Sequence, residues 1–244
     1  ALPGLRREHG AALVIANGEN AAGGAGITAD TAEEIFAAGV DVITGGNHTW
    51  HNRDAYGLLD AHPRLLRPAN YPPGAPGRGA VTVEAGGGRV SILNLQGRVF
   101  MGELDDPFRA AEEWVAALRK APPVTIVDFH AEAPSEKIAM GWYLDGKVSA
   151  VVGTHTHVQT ADERILPQGT AYITDVGMTG PRDGIIGMDR EVILERFLTG
   201  LPTRFTVAQG ETQLCGVGLE IDAAGRAQNI QRIQLLNEAS EREE

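Results

Sequence analysis

The feature that most constrains the fold is a repeated pattern in which an apolar segment ends directly in polar residues. Four segments follow it, at residues 11–16, 40–44, 124–129 and 148–152. They lead, in the same order, into Asn17-Gly18-Glu19-Asn20, Gly45-Gly46-Asn47-His48, His130, and Gly153-Thr154-His155-Thr156-His157. Helical patterns alternate with these segments, which predicts a parallel sheet in an α/β fold. Because ligands of open α/β sheets bind beyond the carboxyl ends of strands, we expect the four polar groups to meet at one edge.

The residue types at these strand ends are those that bind transition metals. Imidazole, carboxylate and amide oxygen together suit Zn, Fe, Mn or Ni rather than Ca. The chain has one cysteine, Cys215, which excludes an internal disulfide and a zinc site built from thiolates. Several ligands without thiols indicate two ions that share a bridging carboxylate and lie about 3.5–4 Å apart. Such a pair of ions can bind both the attacking and the leaving oxygen of a phosphoryl displacement.

The charge of the chain argues against one class of partner. The net charge is −11, and an acidic chain is a poor binder of nucleic-acid polymers through their phosphates. A small phosphate ester would instead need a local positive charge, which bound metal ions supply. No apolar run approaches the roughly 18 residues of a membrane helix. The single cysteine fits a reducing compartment, so we expect a cytoplasmic protein without a membrane partner.

We expect one domain over residues 1–244, because no repeat or linker divides the chain. A helix is predicted at 28–38, with a Thr31-x-x-Glu34 capping box, and another at 107–120. After residue 152 the pattern becomes rich in strands, predicted at 171–174, 204–208, 213–221 and 228–235, with a helix near 190–198. These strands indicate antiparallel additions and a second sheet. The acidic segment 236–244 is predicted to be a disordered tail.

Several residues admit two interpretations. His9 and His62 fit ordinary solvated histidines, whereas His51 lies beside the predicted site and fits either role. Asp128, two residues before His130, would lie on the same face of a strand. It would either orient a metal ligand from behind or be a core acid with satisfied hydrogen bonds, and Asp175 has the same two interpretations.

The motifs at the strand ends resemble those of a known superfamily. Gly45-Gly46-Asn47-His48 resembles the Gly-Asn-His motif of calcineurin-like metallophosphoesterases, and Gly153-Thr154-His155-Thr156-His157 resembles their Gly-His-x-His motif. Longer stretches at 16–24, 66–72, 128–133 and 174–180 resemble the YmdB-like branch, whose members are 2′,3′-cyclic-nucleotide 2′-phosphodiesterases. The resemblance runs from about Leu2 to about Ile233.

The resemblance implies a fold and a role for each matching residue. The fold is a four-layer α/β/β/α sandwich of the metallophosphoesterase type, here without the first strand of the family. The roles concern two divalent or trivalent metal ions, with Fe or Mn expected before Zn or Ni. Glu19 would bridge both ions, Asn20 and His157 would bind the first, Asn47, His130 and His155 would bind the second, and His48 would be the catalytic general acid.

The implied reaction is hydrolysis of a small phosphodiester. A metal-bridging hydroxide would attack the phosphorus of a 2′,3′-cyclic nucleotide, and His48 would protonate the leaving 2′ oxygen, which yields a 3′-nucleotide. Two alternatives stay open: a phosphomonoesterase on the same site, and a weakly active or inactive metal- or nucleotide-binding module that acts as a sensor or scaffold. A homo-oligomer is compatible with the sequence.

The sequence departs from the family pattern at one point. The family begins with a strand that ends in Gly-Asp, whose aspartate binds the first metal, but no aspartate precedes Glu19 here. Residues 1–8 match the end of the helix that follows that strand. We therefore expect a helix at the start of the chain, an unpaired edge or gap in one sheet, and weakened binding at the first metal position.

Overall fold

The elements of the fold follow the predicted alternation of helices and strands. The computed structural model of the chain describes residues 1–118 and 124–237. The helices are α1 (Leu2–Glu8), α2 (Ala29–Ala37), α3 (Asp54–Ala61), α4 (Pro107–Leu118), α5 (Pro134–Leu144) and α6 (Arg190–Thr199). The strands are β1 (Ile15–Asn17), β2 (Val42–Thr44), β3 (Ala80–Ala85), β4 (Gly88–Gln96), β5 (Val124–His130), β6 (Ala150–Thr154), β7 (Arg164–Ile165), β8 (Ala171–Ile173), β9 (Thr179–Pro181), β10 (Thr212–Ile221) and β11 (Ala227–Asn237).

Two layers of strands pack face to face between two layers of helices. One sheet has six strands in the order β3-β4-β5-β6-β8-β7, with β4, β5, β6 and β8 parallel. The other layer contains the parallel pair β1-β2 and the antiparallel sheet β11-β10-β9. Helices α4 and α5 pack on the six-stranded sheet, and α2 and α3 pack on β2. The expected four-layer α/β/β/α architecture is confirmed.

Strand β5 shows how the sequence specifies two covered faces. Its residues Val127 and Phe129 join the core beneath α4 and α5, while Ile126 packs toward the second layer of strands. Side chains alternate along a strand, so Asp128 and His130 face the second layer as Ile126 does. Both faces are apolar along most of the strand, as expected when layers cover both sides of a parallel sheet. Polar side chains accumulate between the sheets only at the carboxyl end.

Three details of the predicted elements are wrong. The first strand is Ile15–Asn17 rather than 11–16, because the preceding residues lead from α1 into the sheet. Thr28 caps α2, and its capping box is completed by Thr31 instead of running from Thr31 to Glu34. The segment 204–208 is no strand and forms only a bridge between Val207 and Met188, because no sheet edge lies beside it over more than one residue.

The edges of the second strand layer bear on the expectation of a gap. Strand β1 pairs with β2 on one side, and within residues 1–118 and 124–237 no strand pairs with its other side. Strand β10 pairs with β9 only through Thr212, Gln213 and Leu214 on the edge away from β11. The start of the chain is helical, as predicted, in α1.

Two predictions fall on residues outside the described ranges. The end of the helix predicted to reach residue 120 and the acidic tail from residue 238 onward are not described. Residues 236 and 237, which were predicted to belong to that tail, instead end β11. Among the described residues, no helix is long and apolar enough to cross a membrane.

Candidate metal centre

The carboxyl ends of β1, β2, β5 and β6 meet between the two sheets, as the sequence pattern predicts. Glu19, His130 and His155 each bring a ligand atom into one group, with all of these atoms within 4.8 Å of one another. Glu19 is 3% exposed and His130 is 1% exposed. A buried carboxylate beside two imidazoles is a donor set of the kind that binds Fe, Mn or Zn.

The ring of His130 shows why this group fits a cation. The Thr154 hydroxyl donates to Asp128 Oδ1 over 2.7 Å, so its oxygen accepts from His130 Nδ1–H over 2.9 Å. With that proton on Nδ1, the Nε2 lone pair of a neutral ring points at Asn47 Oδ1 (2.9 Å) and Glu19 Oε1 (3.1 Å). Lone pairs at these distances repel one another unless a proton or a metal cation lies between them. The residues therefore fit a metal ion.

A glycine in the turn after β2 allows these ligands to approach the backbone. A Cβ atom on Gly46 would overlap both the Glu19 carboxylate and the His130 ring. The next residue, Asn47, then reaches His130 with its side-chain oxygen. The backbone N–H of His48 donates to Glu19 Oε2 over 2.9 Å. The Gly-Gly-Asn-His turn thus places one ligand-type oxygen and supports the carboxylate at the same time.

A second group of side chains lies on the other side of Glu19. Asn20 Nδ2 donates to Glu19 Oε1 (3.1 Å) and contacts His157 Nε2 (3.2 Å). Asn20 Oδ1 accepts from His48 Nδ1 over 2.8 Å. His157 Nδ1 donates to the Ile186 carbonyl over 3.0 Å, which leaves its Nε2 toward the centre. Glu19 therefore lies between two groups of side chains, one around His130 and the other around Asn20 and His157.

Burial and charge adjust the ionisation of two of these residues. Burial alone would raise the pKa of Glu19, but in the absence of metal a protonated His130, through its hydrogen bond and charge, and the His48 backbone N–H lower it to about 2. Burial first, and then the charge of His130, lowers the pKa of His155 below its ordinary value. His155 Nε2 lies 3.0 Å from Glu132, while its Nδ1 faces His130 at 3.0 Å. An ionised carboxylate and a neutral imidazole are the forms that bind metals.

The loop that carries the two histidines has an unfavourable backbone. His155 has φ 112° and His157 has φ 66°, a region that non-glycine residues avoid and that costs about 1–3 kcal/mol at each position. Thr156 between them is held by Asp175 Oδ2, which accepts from its backbone N–H (3.0 Å) and its hydroxyl (2.8 Å). Lys137 Nζ donates to the same oxygen over 2.7 Å, and both side chains of this ion pair are 0% exposed.

A second buried carboxylate lies directly behind His130. Asp128 accepts from Thr44, Thr154 and Asn17, so it joins the ends of β2, β6 and β1. Burial raises the pKa of Asp128, against the hydrogen bonds of Thr44 and Thr154 and the charge of His130. Through Thr154 it fixes which nitrogen of His130 carries the proton, and so it orients the His130 ring.

All seven residues predicted for the site come together, although their roles as ligands and acid stay predictions. Sequence reasoning missed Thr44, Thr154 and the partner of Asp175. Thr154 could have been found from register, because it pairs with His130 across two parallel strands and so shares its face. Thr44 ends β2 in the same way. Nothing in the sequence pairs Lys137 with Asp175, which are 38 residues apart.

The fold and the site together define a hydrolase of the metallophosphoesterase type. The family model of YmdB-like proteins matches residues 1–233, and the chain belongs to that family. The sequence is 55% identical over 238 residues to the 2′,3′-cyclic-nucleotide 2′-phosphodiesterase of Bacillus subtilis (strain 168), covering 97% of this chain and 90% of the relative.

Two solved structures are similar over nearly the whole chain. A hypothetical protein from Thermus thermophilus superposes with a TM-score of 0.90 at 45% identity, covering 96% of this chain and 91% of that protein. A novel phosphatase from Mycoplasma pneumoniae superposes with a TM-score of 0.91 at 35% identity, covering 98% of this chain and 87% of that protein. Both similarities extend over the layers that form the candidate metal centre.

Proposed function

We propose that this protein is a dinuclear-metal phosphodiesterase that hydrolyses 2′,3′-cyclic nucleotides to 3′-nucleotides. The observation that carries the proposal is the geometry at His130, whose Nε2 faces the side-chain oxygens of Asn47 and Glu19 in a buried site. The 2′,3′-cyclic-nucleotide activity named for the Bacillus subtilis relative supports the choice of substrate.

In this proposal Glu19 would be a ligand of both ions. Asn47, His130 and His155 would complete one site, and Asn20 and His157 would belong to the other. Bound cations would neutralise the phosphate oxygens and supply a nucleophilic hydroxide near neutral pH. The first site would be the weaker of the two, because the described residues offer it three ligands, Glu19, Asn20 and His157, and offer the second site four.

His48 is the general acid of the proposed reaction. Its Nδ1 donates to Asn20 Oδ1, so the ring is oriented and Nε2 is left to hold the proton for the departing 2′ oxygen. The Asn20 amide also contacts Glu19 and His157, which ties the position of the acid to the position of the metal ligands. Proton transfer by an oriented side chain contributes about 10²–10⁴-fold to a rate.

The test begins with purified wild-type protein that is stripped of metal and reloaded with Mn²⁺. The amount of metal per chain is measured first. Hydrolysis is then assayed in parallel with 2′,3′-cyclic nucleotides, an aryl phosphodiester and a phosphomonoester. The nucleotide product is identified as the 2′- or the 3′-phosphate. We expect the cyclic diester to be the preferred substrate and the 3′-nucleotide to be its product. Preference for the monoester would favour a phosphatase, the word used for the Mycoplasma pneumoniae structure.

Replacing His48 separates catalysis from binding. His48→Ala should lower kcat by about 10²–10⁴-fold while the bound metal changes little, and His9→Ala, at an exposed histidine in the turn after α1, should leave kcat unchanged. An unchanged rate in His48→Ala would exclude the acid role. Bound metal without turnover of any ester would support a sensor or scaffold instead. Cytoplasmic location and a homo-oligomeric state stay predictions.

A further inference from the structure

The backbone points to a functional residue that the metal centre does not explain. In the described part of the chain, four non-glycine residues have φ in the left-handed region: Phe100 (61°), His155 (112°), His157 (66°) and Ile186 (47°). Two of them are histidines of the metal centre, and Ile186 orients His157 through its carbonyl. Strained residues cluster at functional sites because the surroundings must hold them in place. Phe100 is the one whose role is unassigned.

Phe100 belongs to a loop that leaves the sheet at the metal edge. Gln96, the last residue of β4, is in register with His130 on the adjacent strand. The backbone N–H of Gly97 donates to the His130 carbonyl over 2.9 Å. A turn then forms in which Met101 N–H donates to the Arg98 carbonyl over 3.1 Å. Phe100 occupies the third position of this turn, where a positive φ favours glycine.

The loop is held by a carboxylate that has no role in the metal centre. Glu136 is buried near the start of α5, and its oxygens accept from the backbone N–H groups of Arg98 (3.0 Å) and Val99 (3.2 Å). A Cβ atom on Gly97 would overlap this carboxylate. The loop is therefore drawn tightly onto the end of α5.

The far end of the loop is also fixed. Asn70 Nδ2 donates to the Gln96 carbonyl and to the Asp105 carbonyl, each over 2.9 Å. Within this rigid frame the Phe100 side chain is 90% exposed. A single exposed apolar residue needs no explanation on an ordinary surface. Phe100 is a different case, because its backbone is strained and buried polar groups fix that backbone at the edge of the metal centre. The loop therefore holds the ring in solvent.

We propose that Phe100 is the surface on which the nucleobase of the substrate stacks. The inference rests on the proposed function. In a 2′,3′-cyclic nucleotide the base is attached at C1′, next to the C2′ that carries the ester, so a diester held at the metals presents a flat aromatic group within one sugar of the reacting phosphorus. An aromatic ring accepts the face of any base. Because the backbone that carries the ring is already fixed, only the two side-chain torsions of Phe100 need to be ordered on binding.

The test compares a substrate that has a base with one that does not. Kinetic constants are measured for adenosine 2′,3′-cyclic phosphate and for methyl riboside 2,3-cyclic phosphate. Phe100→Ala should raise KM for the adenosine diester by about tenfold, as expected for a lost base–aromatic stack, with kcat little changed. Its KM for the base-free diester should equal that of the wild type. Phe100→Trp should retain the wild-type preference, and Trp142→Ala, which removes an exposed ring from the last turns of α5, should change neither constant.

A glycine variant separates the ring from the backbone. Phe100→Gly fits the positive φ, so it should raise the unfolding temperature above that of Phe100→Ala while it loses base preference equally. A wild-type KM in either variant, or equal losses on both diesters, would overturn the role of Phe100 alone. The role would also be overturned if light scattering showed that the wild type is an oligomer and that Phe100→Ala loses affinity because this oligomer dissociates. The ring would then be a contact between copies. A wild type that cleaves no diester would instead defeat the proposed function, and this inference with it.

Discussion

Two aspartates are buried behind the candidate metal centre, and the protein balances their charges in different ways. Asp175 forms an ion pair with Lys137 at 2.7 Å, with both side chains fully buried. Asp128 is equally inaccessible, yet its hydrogen-bond donors are the neutral side chains of Thr44, Thr154 and Asn17. Burial raises the pKa of Asp128, and within residues 1–118 and 124–237 no lysine or arginine forms an ion pair with it.

The difference separates the support of the loop from the support of the ligand. Asp175 accepts from the backbone N–H and hydroxyl of Thr156, which lies between the strained His155 and His157. Lys137 supplies its counter-charge whether or not metal is bound. Asp128 lies behind His130 and is connected to it through the Thr154 hydroxyl. Its counter-charge would come from bound cations on the far side of that ring. We therefore expect changes around Asp175 to lower stability whether or not metal is bound, and changes around Asp128 to act mainly through metal binding.

The largest effect is expected from breaking the ion pair. Lys137→Met leaves Asp175 buried without its counter-ion, and the loss of one partner of a buried pair costs about 3–5 kcal/mol. The free energy of unfolding, measured with urea on metal-free protein, should fall by this amount. Lys147→Met, at an exposed lysine on the turn after α5 whose Nζ lies 4.2 Å from the Tyr143 ring centroid, should change it by no more than about 1 kcal/mol.

The double variant Lys137→Met/Asp175→Asn provides the check. Removing the orphaned charge should recover part of the lost free energy, because an amide is less costly to bury than an unpaired carboxylate. A double variant less stable than Lys137→Met would show that the hydrogen bonds of Asp175, rather than its pairing with Lys137, dominate the stability of this region.

Metal binding is expected to give the next largest effect. With Mn²⁺ at about 100 times its dissociation constant, the folded protein should gain about 2.7 kcal/mol. His130→Ala should abolish most of this gain, whereas His9→Ala should keep it. Calorimetric unfolding with and without Mn²⁺ measures both. An equal gain in all three proteins would mean that Mn²⁺ binds elsewhere.

Thr154→Val tests the link between Asp128 and His130 at nearly constant volume. It removes a donor to Asp128 and the acceptor of His130 Nδ1–H, so we expect a loss of about 1–3 kcal/mol in unfolding free energy. Loss of such a support behind a metal ligand should also weaken Mn²⁺ binding by about 10–100-fold. Thr154→Ser should restore both quantities. Unchanged Mn²⁺ affinity in the folded Thr154→Val protein would reduce this network to a core feature.

The two aspartates also show how far sequence reasoning reaches. Asp128 could be placed correctly, because it precedes His130 by two residues and the period of a strand puts both on one face. The four strand ends were predictable for the same reason: each apolar segment ends in polar residues, and parallel strands share a carboxyl edge. Local pattern is thus sufficient where the functional residues follow the strands themselves.

The partners of Asp175 could not be predicted from pattern. Nothing in the local sequence of α5 marks Lys137 as a buried residue, and only the packing of α5 against β6 and β8 brings its amine to Asp175. The positive φ values at His155 and His157 have no local signal either, because neither position is a glycine. Tertiary contacts impose that backbone against its local preference, so the sequence identifies the ligands but not what holds them.

The smallest expected effect on stability distinguishes the two roles most sharply. Thr156→Val removes one hydroxyl donor to Asp175, which keeps Lys137, the Thr156 backbone N–H and the Gly177 N–H (2.9 Å) as partners. The free energy of unfolding should fall by only about 0.5–1.5 kcal/mol. Thr156 lies between the two strained histidines, so the same change should weaken Mn²⁺ binding by roughly tenfold, as for other supports of metal ligands.

Thr156→Ser is the matched control and should bind Mn²⁺ like the wild type. Thr156→Val could instead lose the expected stability and keep wild-type Mn²⁺ affinity in titrations of the folded protein. The Asp175 pair would then stabilise the fold without positioning the histidines, and Asp175 and Asp128 would differ in function as well as in the source of their counter-charge.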